Sequence, residues 1–546
     1  MSTAQHPDTV VVVGAGPVGC TAALLLADRG VPVVLLERHL RPHPLPRAVH
    51  LDDEVVRILH RVGLSGDFLA GSRPATGLRL VDGRRRVLAE FGRELTPSAN
   101  GFPFANMFHQ PDLEALLLAR VDRHPLVTFR RGVEVTDIGP ARRPDAVRVQ
   151  ARTASGEEPV TVTARLLLGC DGANSTVRQL LGVPMDDLRF TERWLVIDAR
   201  AGAELDRWGG VEQVCDPGRA ATFMRVVGDR YRWEFQLRDG EDEADLVRPD
   251  VLGRLLRPWT GRGDLDGLEI VRSASYTFRA RLARRFRAGP VFLLGDAAHL
   301  TPPFVGQGLG AGLRDAANLA WKIEHVLSGS AAPDLLATYE AERRPHARAL
   351  VRRAVLVGWA MTGGQDRAAA ARRIALALAV RSGRLRDAVA RPSTPPLTRG
   401  ALHGQRLTPV RRHWPFRVGA LMPNAVVRDA TGADRRLDDV LGGRLAAVTS
   451  AQPSRRLIET CRDHGLLLVR VHPDAGATRP APAAGCVDVT VAGPRGALHP
   501  LIHDRQLLVV VRPDGVVGAV SRCDQPAVPL LLARPSAGAA PKAVPA

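Results

Sequence analysis

Residues suited to binding a ligand are concentrated in the stretch PVFLLGDAAHLTPPFVGQGLG, which begins at Pro290. Its apolar run 291–294 has the composition of a short buried strand and stops at the turn-forming pair Gly295-Asp296. Glycine then recurs at every second position over 306–310, where the backbone can approach a ligand closely, and a helical apolar pattern follows. Because the first N–H groups of a helix have no internal partner, the stretch favours a negatively charged ligand whose hydroxyl groups donate to Asp296.

A second candidate binding motif follows the apolar run Val10–Val13. Glycine occupies the first, third and sixth positions of the next turn, at Gly14, Gly16 and Gly19. An apolar helical pattern comes next, and a second strand-like run at 33–36 ends at Glu37, where an acid can hold the ribose of an adenosine. Together the strand, turn, helix and acid predict a dinucleotide site with its pyrophosphate on the helix N-terminus. A glycine-rich connection inside an α/β domain is the alternative interpretation.

A third buried run, 166–168, leads into Gly169-Cys170-Asp171-Gly172, so three such motifs recur in one order. In this combination the chain resembles the flavin-dependent aromatic hydroxylases of the para-hydroxybenzoate hydroxylase fold, which carry GxGxxG, an Asp-Gly motif and a Gly-Asp motif. Within that group it resembles the 3-(3-hydroxyphenyl)propionate hydroxylases through PRAVHLDDEVVR, FHQPDLEALLL, GDAAHLTPP, GLRDAANLAWK and TYEAERRPHA. Several of these stretches are also shared with hydroxylases that tailor aromatic polyketides.

The resemblance implies an α/β protein with a Rossmann-like FAD-binding domain, an interleaved antiparallel β-sheet substrate domain and a thioredoxin-like C-terminal domain. The expected bounds are 1–184 for the FAD-binding domain (with 78–105 joining the substrate sheet), 185–278 for the substrate sheet, 279–390 for the continued FAD-binding domain and its helices, 399–533 for the C-terminal domain and 534–546 for a disordered tail. Three prolines in 391–398 favour a linker there. The C-terminal region has no CxxC, so a structural or dimer-supporting role is expected for it.

Site residues follow from the same resemblance, which implies that Arg47 lies beside the flavin and that Gln110 contacts FAD. The full set of expected cofactor-binding residues is Gly14, Gly16, Gly19, Glu37, Arg47, Gln110, Asp171, Gly172, Gly295 and Asp296. The resemblance also places the carbonyl of Pro303 near the reacting hydroxyl. Gly306 and Gly308 are expected at the helix start that stabilises negative charge on the N1/O2 edge of the flavin. A surface arginine at a loop edge is the alternative for Arg47.

The implied reaction is aromatic hydroxylation. NADH or NADPH reduces FAD, the reduced flavin takes up O2 to form a C4a-hydroperoxide, and this oxidant attacks an electron-rich phenol. The expected substrate is of the 3-(3-hydroxyphenyl)propionate type. A polyketide phenol, or a Baeyer–Villiger oxidation in antibiotic biosynthesis, is the alternative.

Two sheets are expected to complete the framework. Runs at 127–129, 133–135, 147–149 and 160–162 predict one small antiparallel sheet. Longer strands between 185 and 278 predict the substrate layer. Phe223, Arg225 and Phe235 are candidates for its inner face, because Phe223 and Arg225 lie two residues apart in one strand.

Composition excludes several other classes of protein. The formal net charge of +18 comes almost entirely from scattered arginines and forms no basic run interleaved with aromatics, so nucleic-acid binding is not expected. The six cysteines form no CxxC, which favours neither a metal site nor a disulfide scaffold. No secretory leader and no membrane span are recognisable, so a cytoplasmic protein is expected. A homodimer is a possible assembly. A flavin halogenase is not expected, because the sequence has no Trp-x-Trp-x-Ile-Pro stretch. A plain NAD dehydrogenase is not expected either, because it would leave two of the three motifs unused.

Overall fold

The computed structural model describes residues 8–42, 44–143, 145–154, 156, 159–205, 208–216, 218–362, 394–401, 416–473, 485–491 and 497–528. The start of the expected linker at 391–398 and the expected disordered tail at 534–546 lie outside these residues. No helix within the described ranges is both long and apolar enough to cross a membrane.

The three glycine motifs lie at strand ends of a six-stranded sheet with the order β18-β19-β12-β1-β2-β8. Its strands, numbered in chain order, are β1 (Val10–Val13), β2 (Val33–Glu37), β8 (Val127–Arg131), β12 (Leu166–Gly169), β18 (Arg287–Ala288) and β19 (Val291–Leu293). All neighbours are parallel except β18 and β19. The parallel strands are buried on both faces, which is why they appear in the sequence as continuous apolar runs.

One sequence expectation about the neighbouring sheet is wrong. The small antiparallel sheet contains only β9 (Val133–Pro140), β10 (Val147–Thr153) and β11 (Pro159–Ala164). The run at 127–129 belongs instead to β8, which pairs in parallel with β2. A short β-branched run shows that a strand forms but does not show which strand it pairs with.

Helices pack against the six-stranded sheet and frame the cofactor-binding motifs, and the small sheet of β9–β11 also packs against it through β1 and β2. They are α1 (Pro17–Ala27), α2 (Asp53–Arg61), α3 (Ser65–Ala70), α4 (Gln110–Arg123), α5 (Thr176–Leu180), α8 (Gly308–Leu327) and α9 (Ala337–Thr362). Helix α1 packs against α8, so the two helices that start at glycine motifs are neighbours. A small sheet of β3 (His50–Asp52), β4 (Ser72–Pro74) and β7 (Ala105–Phe108) lies beside α2.

An eight-stranded, largely antiparallel sheet has the order β20-β17-β13-β16-β15-β14-β5-β6. Its strands are β5 (Gly77–Val81), β6 (Val87–Gly92), β13 (Met185–Ala201), β14 (Val211–Val214), β15 (Ala221–Arg225), β16 (Arg230–Gln236), β17 (Leu268–Ala283) and β20 (His299–Leu300). The β5–β6 hairpin forms around Asp82-Gly83 and joins this sheet through β14, as the sequence predicts.

One face of the eight-stranded sheet is covered by α6 (Glu243–Leu246) and α7 (Pro249–Thr260). Phe223 and Phe235 point to this covered face, where their ring centroids lie 5.6 and 6.0 Å from that of Trp259 in α7. The opposite face carries Asp198, Arg232 and Glu234 and is called the Arg232 face below. Placing Phe223, Arg225 and Phe235 on the inner face is therefore wrong. Alternation shows which residues share a face, but the helix-covered face is the more apolar one.

The C-terminal region forms a seven-stranded sheet with the order β22-β21-β25-β24-β23-β26-β27. Its elements are β21 (Val426–Arg428), β22 (Asp434–Arg436), β23 (Ala446–Thr449), β24 (Leu467–His472), β25 (Cys486–Val491), β26 (Leu507–Val511), β27 (Val517–Arg522), α10 (Leu437–Leu441), α11 (Arg455–Asp463) and α12 (His499–His503). Arg57 of α2 binds both carboxylate oxygens of Asp438 at 2.7 and 2.6 Å. This buried pair fixes the C-terminal sheet to the glycine-motif domain.

Candidate active site

The first glycine turn combines tight packing with an open surface. Gly14 has a φ of 99°, and a Cβ on Gly19 would lie 1.8 Å from the Gly14 carbonyl oxygen, so only glycine fits there. Gly16 begins α1 without a side-chain cap, and a Cβ built on it meets no atom within 4 Å. Glu37 accepts a hydrogen bond from the Ala15 N–H at 2.8 Å. The turn thus presents unsatisfied N–H groups and a carboxylate to an open cradle, which fits a dinucleotide.

A buried carboxylate fixes the turn of the Gly-Asp motif. Asp315 of α8 accepts the Gly295 N–H at 3.0 Å, contacts His299 Nε2 at 2.7 Å and accepts from Arg343 Nε at 2.7 Å. Its side chain is completely buried. Burial alone would raise the pKa of Asp315, but His299 and Arg343 hold it below its usual value. The ionised form therefore orients the backbone at Gly295, which has a φ of 59°.

Replacing Asp315 with asparagine should weaken FAD binding by at least about tenfold and lower the thermal stability, because the Gly295 N–H, His299 and Arg343 lose their charged partner in a buried site. Flavin titration by fluorescence quenching and a melting curve measure the two effects. Asp524→Asn is the matched control, since Asp524 is paired with Arg522 at an exposed position. Unchanged flavin affinity in Asp315→Asn would contradict the orienting role.

Asp296 follows that turn, and its side chain is exposed to the cleft. Protein nevertheless surrounds it on most sides, and this desolvation raises its pKa, while His299 and Arg47 act in the opposite direction. A carboxylate in such an open, partly desolvated position is suited to accept hydrogen bonds from ligand hydroxyls.

Gln307 anchors the glycine-rich loop through its side chain, which does not cap the start of α8. Gln307 Nε2 donates to Asp52 at 2.9 Å, and its Oε1 accepts from Arg314 at 3.0 Å. Asp52 also caps α2 by accepting the Val55 N–H at 2.9 Å. Gly306 has a φ of 60°, and α8 begins at Gly308 with no side-chain cap. The first N–H groups of α8 therefore remain available to a ligand edge that carries negative charge.

Pro303 opens a short turn before this loop. Its carbonyl accepts the Gly306 N–H at 2.7 Å, so one of its two lone pairs serves the turn. The other lone pair is free of that bond and is available to a ligand hydroxyl.

In the Asp-Gly motif, Asp171 accepts from Ser175 Oγ at 2.5 Å and from the Val177 N–H at 3.0 Å, which fixes the start of α5. Gly172 has a φ of 80° and open space around it.

The loop that carries Arg47 is held from two sides. Gln110 Oε1 accepts the N–H groups of Arg47 and Ala48 at 2.9 and 2.6 Å. From the Arg232 face, Arg232 donates to the carbonyls of Arg47 and Pro46, both at 2.8 Å. Arg272 adds a bond to the Pro46 carbonyl at 2.6 Å. This loop therefore links the six-stranded and eight-stranded sheets at the cleft.

Three anchoring groups escaped sequence reasoning: Asp52, Arg232 and Asp315. Each is a buried charged residue with partners far away in the chain, and burial of a charge is the only signal that could have revealed it. Most of the predicted cofactor-binding residues lie at the carboxyl ends of β1, β2, β12 and β19, whereas Arg47 lies in a loop that Gln110 binds from the start of α4. Within the described ranges, no three potential metal ligands come together.

Comparison with known proteins decides the family. Residues 8–354 match the FAD binding domain family, and residues 419–530 match the HcaD C-terminal domain family. A probable NADH-specific resorcinol 4-hydroxylase of Rhodococcus jostii (strain RHA1) is 37% identical over 373 residues, which cover 68% of this chain and 69% of that protein. The chain belongs to the FAD-dependent aromatic hydroxylases.

A further relative of this hydroxylase agrees with that assignment, and a solved structure agrees with it in fold. A 3-(3-hydroxy-phenyl)propionate/3-hydroxycinnamic acid hydroxylase of Burkholderia cenocepacia (strain HI2424) is 35% identical over 446 residues, covering 81% of this chain and 79% of that protein. The flavin-dependent monooxygenase PieE, solved in complex with FAD and substrate, has a TM-score of 0.78 at 24% identity and covers 95% of this chain and 97% of its own. The predicted fold class is confirmed.

The hydroxylase uses FAD with NADH or NADPH as the co-substrate. When bound and reduced by NADH or NADPH, FAD would activate dioxygen, one atom of which enters the aromatic ring. The chain's own residues fit this cofactor. The α1 start would hold the pyrophosphate, Glu37 and Asp296 would accept hydrogen bonds from hydroxyl groups, and the α8 start would stabilise negative charge on the ring edge. The loop of Pro46 and Arg47 closes the cleft toward the Arg232 face.

Proposed function

We propose that this hydroxylase adds a hydroxyl group to a small meta-substituted phenol of the 3-(3-hydroxyphenyl)propionate type, ortho to the existing hydroxyl. Two relatives support it, because one is named for a 3-hydroxyphenylpropionate and the other for resorcinol. Both compounds are single-ring phenols with a second substituent in the meta position.

The observation that carries the proposal is an aromatic wall directly after Pro303. Phe304 contacts Phe190 and Trp194 edge-on, with ring centroids 5.7 and 5.8 Å apart. Trp194 belongs to the Arg232 face, because it precedes Asp198 by four residues in β13. These rings also pack against α9 through Val351, and we infer that such a fixed cluster beside Pro303 narrows the space for substrate and favours a single aromatic ring.

Resorcinol-type phenols are the second candidate, and Glu234 favours them. Glu234 lies on the Arg232 face, and burial raises its pKa. Arg232 Nη1 is 3.9 Å from its Oε1, but Arg232 also binds Asp198 at 2.7 Å and the Arg47 loop. A carboxyl group in this position can accept a hydrogen bond from a second ring hydroxyl.

Anaerobic reduction of the FAD-loaded enzyme by NADH and by NADPH tests both candidates. In hydroxylases of this type substrate binding speeds flavin reduction, so a panel of phenylpropionates, resorcinols, benzoates and polycyclic phenols should show which ligand binds productively. We expect 3-(3-hydroxyphenyl)propionate or resorcinol to accelerate reduction and to give a hydroxylated product in air. Faster flavin reduction with polycyclic phenols alone would indicate that the enzyme hydroxylates aromatic polyketides instead. No stimulation by any phenol would refute the proposal.

We further propose domain bounds near 185, 279 and 399, a homodimeric assembly and a cytoplasmic location. The described cysteines are all free thiols, which suits a reducing compartment. Light scattering and fractionation of cells that express the protein test assembly and location.

A further inference from the structure

A cavity of about 270 Å³ lies between the Arg47 loop and one end of the Arg232 face, where β13 ends and β16 and β17 begin. Pro44 and Pro46 line it from the loop, and Asp198 and Arg200 line it from β13. Pro46 and Asp198 are buried, whereas Pro44 and Arg200 are exposed. The cavity therefore has a closed inner end and a mouth through which a ligand can enter and leave.

This cavity is separate from the aromatic wall of the proposed phenol site. In β13, Trp194 of the wall precedes Arg200 of the cavity by six residues, a distance of about 20 Å along an extended strand. Between these two positions, Arg232 and Arg272 donate to the Pro46 carbonyl at 2.8 and 2.6 Å, so the loop is attached to the sheet there. The cavity and the wall lie on the two sides of this attachment.

Two arginines lie side by side in the lining of the cavity. Arg200 of β13 is directly opposite Arg230 of β16, and like charges in such positions repel each other. Within the described ranges, neither guanidinium group is paired with a carboxylate. On the same face, Arg232 shows the usual arrangement, because Asp198 binds it at 2.7 Å. An anionic ligand in the cavity would remove the repulsion between Arg200 and Arg230.

Glu269 adds a carboxylate on the other side of Arg200. The two residues are opposite each other in β17 and β13, yet they form no ion pair in the part of the chain that the structure describes. Guanidinium groups bind phosphate, and a carboxylate accepts hydrogen bonds from ribose hydroxyls. Val271 is 49% exposed and gives the lining an apolar surface on which a ring can pack. Phosphate, ribose and a ring together are the parts of a nucleotide.

We propose that this cavity binds the nicotinamide dinucleotide that reduces FAD, with Arg200 and Arg230 on its pyrophosphate. The hydroxylase uses NADH or NADPH, and one wall of the cavity is the loop whose Arg47 is predicted to lie beside the flavin. The donor must arrive and leave in every cycle, which the open mouth allows. Donor and phenol then approach the flavin from the two sides of the Pro46 attachment. This role does not depend on which phenol is hydroxylated.

Anaerobic reduction of the FAD-loaded enzyme without any phenol tests the site. The reduction rate is measured against the concentration of NADH, and separately of NADPH, to give the Kd of the donor and the limiting rate. Arg200→Gln and Arg230→Gln should each raise that Kd about tenfold, because each removes a charge-assisted hydrogen bond, and should change the limiting rate less than about twofold. Calorimetric titration of the oxidised enzyme with ADP-ribose, which has the pyrophosphate but no reducing ring, should show the same loss of affinity.

Arg279→Gln is the matched control, because Arg279 is an exposed arginine of β17 outside the cavity lining. The FAD content and the melting temperature of each variant show whether the fold is retained. Wild-type Kd values for the donor and for ADP-ribose in the Arg200→Gln/Arg230→Gln double variant would overturn the proposal. Weaker binding of carboxylate-bearing phenols with unchanged donor binding would also overturn it, since the arginines would then serve an acidic substrate. A wild-type enzyme that the donor reduces but that hydroxylates no phenol would refute the proposed function and leave the donor site intact.

Discussion

A protein with alanine at position 19 is expected to emerge from purification without flavin colour. The added Cβ would lie 1.8 Å from the Gly14 carbonyl oxygen and 3.0 Å from its carbon. Gly14 cannot move away, because it packs against the next strand end: a Cβ built on Gly14 would lie 2.5 Å from the Cys170 carbonyl oxygen. Helix α1 must therefore move away from the strand ends, which removes the pyrophosphate cradle. Flavin absorbance after purification, and again after addition of excess FAD, measures the loss.

Two further glycines show whether the effect is on the cradle or on folding. Gly16→Ala meets no protein atom within 4 Å, so it should fold normally yet bind FAD weakly, because the methyl group occupies ligand space. Gly66→Ala in α3 also meets nothing and should retain both FAD and stability. Stoichiometric FAD in Gly19→Ala would show that the turn is not the dinucleotide site.

Replacing Glu342 with leucine is expected to destabilise the protein by about 3–5 kcal/mol, since it removes the carboxylate that Lys322 and Arg512 share and leaves Arg512 paired with Asp514 alone. Glu342 of α9 contacts Lys322 Nζ and Arg512 Nη2, both at 2.9 Å, and all three side chains are completely buried. Arg512 belongs to the turn after β26, so the cluster joins the C-terminal sheet to α8 and α9. Thermal melting and the rate of proteolysis at the C-terminal region measure the loss.

The same cluster predicts how stability depends on pH. Burial alone would raise the pKa of Glu342, but Arg512 and Lys322 lower it to about 2. Since the folded value lies below the unfolded one of about 4.3, the contribution is complete above that unfolded value and is lost as the pH falls toward the folded value. Glu459→Gln, in an exposed pair with Arg455, should change stability by at most about 0.5 kcal/mol. An acid-melting curve that is the same for Glu342→Leu and the wild type would contradict the cluster's role.

Strands that are buried on both faces were the most predictable part of the fold. The run Val10–Val13 predicts a strand with the observed bounds, and the run at 33–36 differs from β2 only by Glu37. The run at 127–129 was less informative, because its residues fit an edge strand of either sheet. Pairing depends on contacts between residues distant in the chain, which local composition does not contain.

For the site, motif spacing predicted the glycines and acids at strand ends but not the groups that orient them. Gln110 was expected to contact FAD, and in the structure its side chain binds the backbone of Arg47 and Ala48. Phe223 was assigned to the wrong face of the eight-stranded sheet. The opposite face carries charged residues such as Arg232, which look like surface residues in a sequence. Only their burial in three dimensions distinguishes them.

The interleaving of the two large sheets has a consequence during synthesis. The chain contributes β5 and β6 to the eight-stranded sheet before it has made β12 of the six-stranded sheet, and the final strands end only at Leu293 and Leu300. On the ribosome, the six-stranded sheet cannot be completed until Leu293 has left the exit tunnel, and the eight-stranded sheet cannot be completed until Leu300 has. At a translation rate of about 5–20 residues per second, the apolar edge of β1 that pairs with β12 waits roughly 8–30 s for its partner. We expect this unpaired edge to favour aggregation of the nascent N-terminal half, and a chaperone that binds it during the interval to raise the yield of folded enzyme.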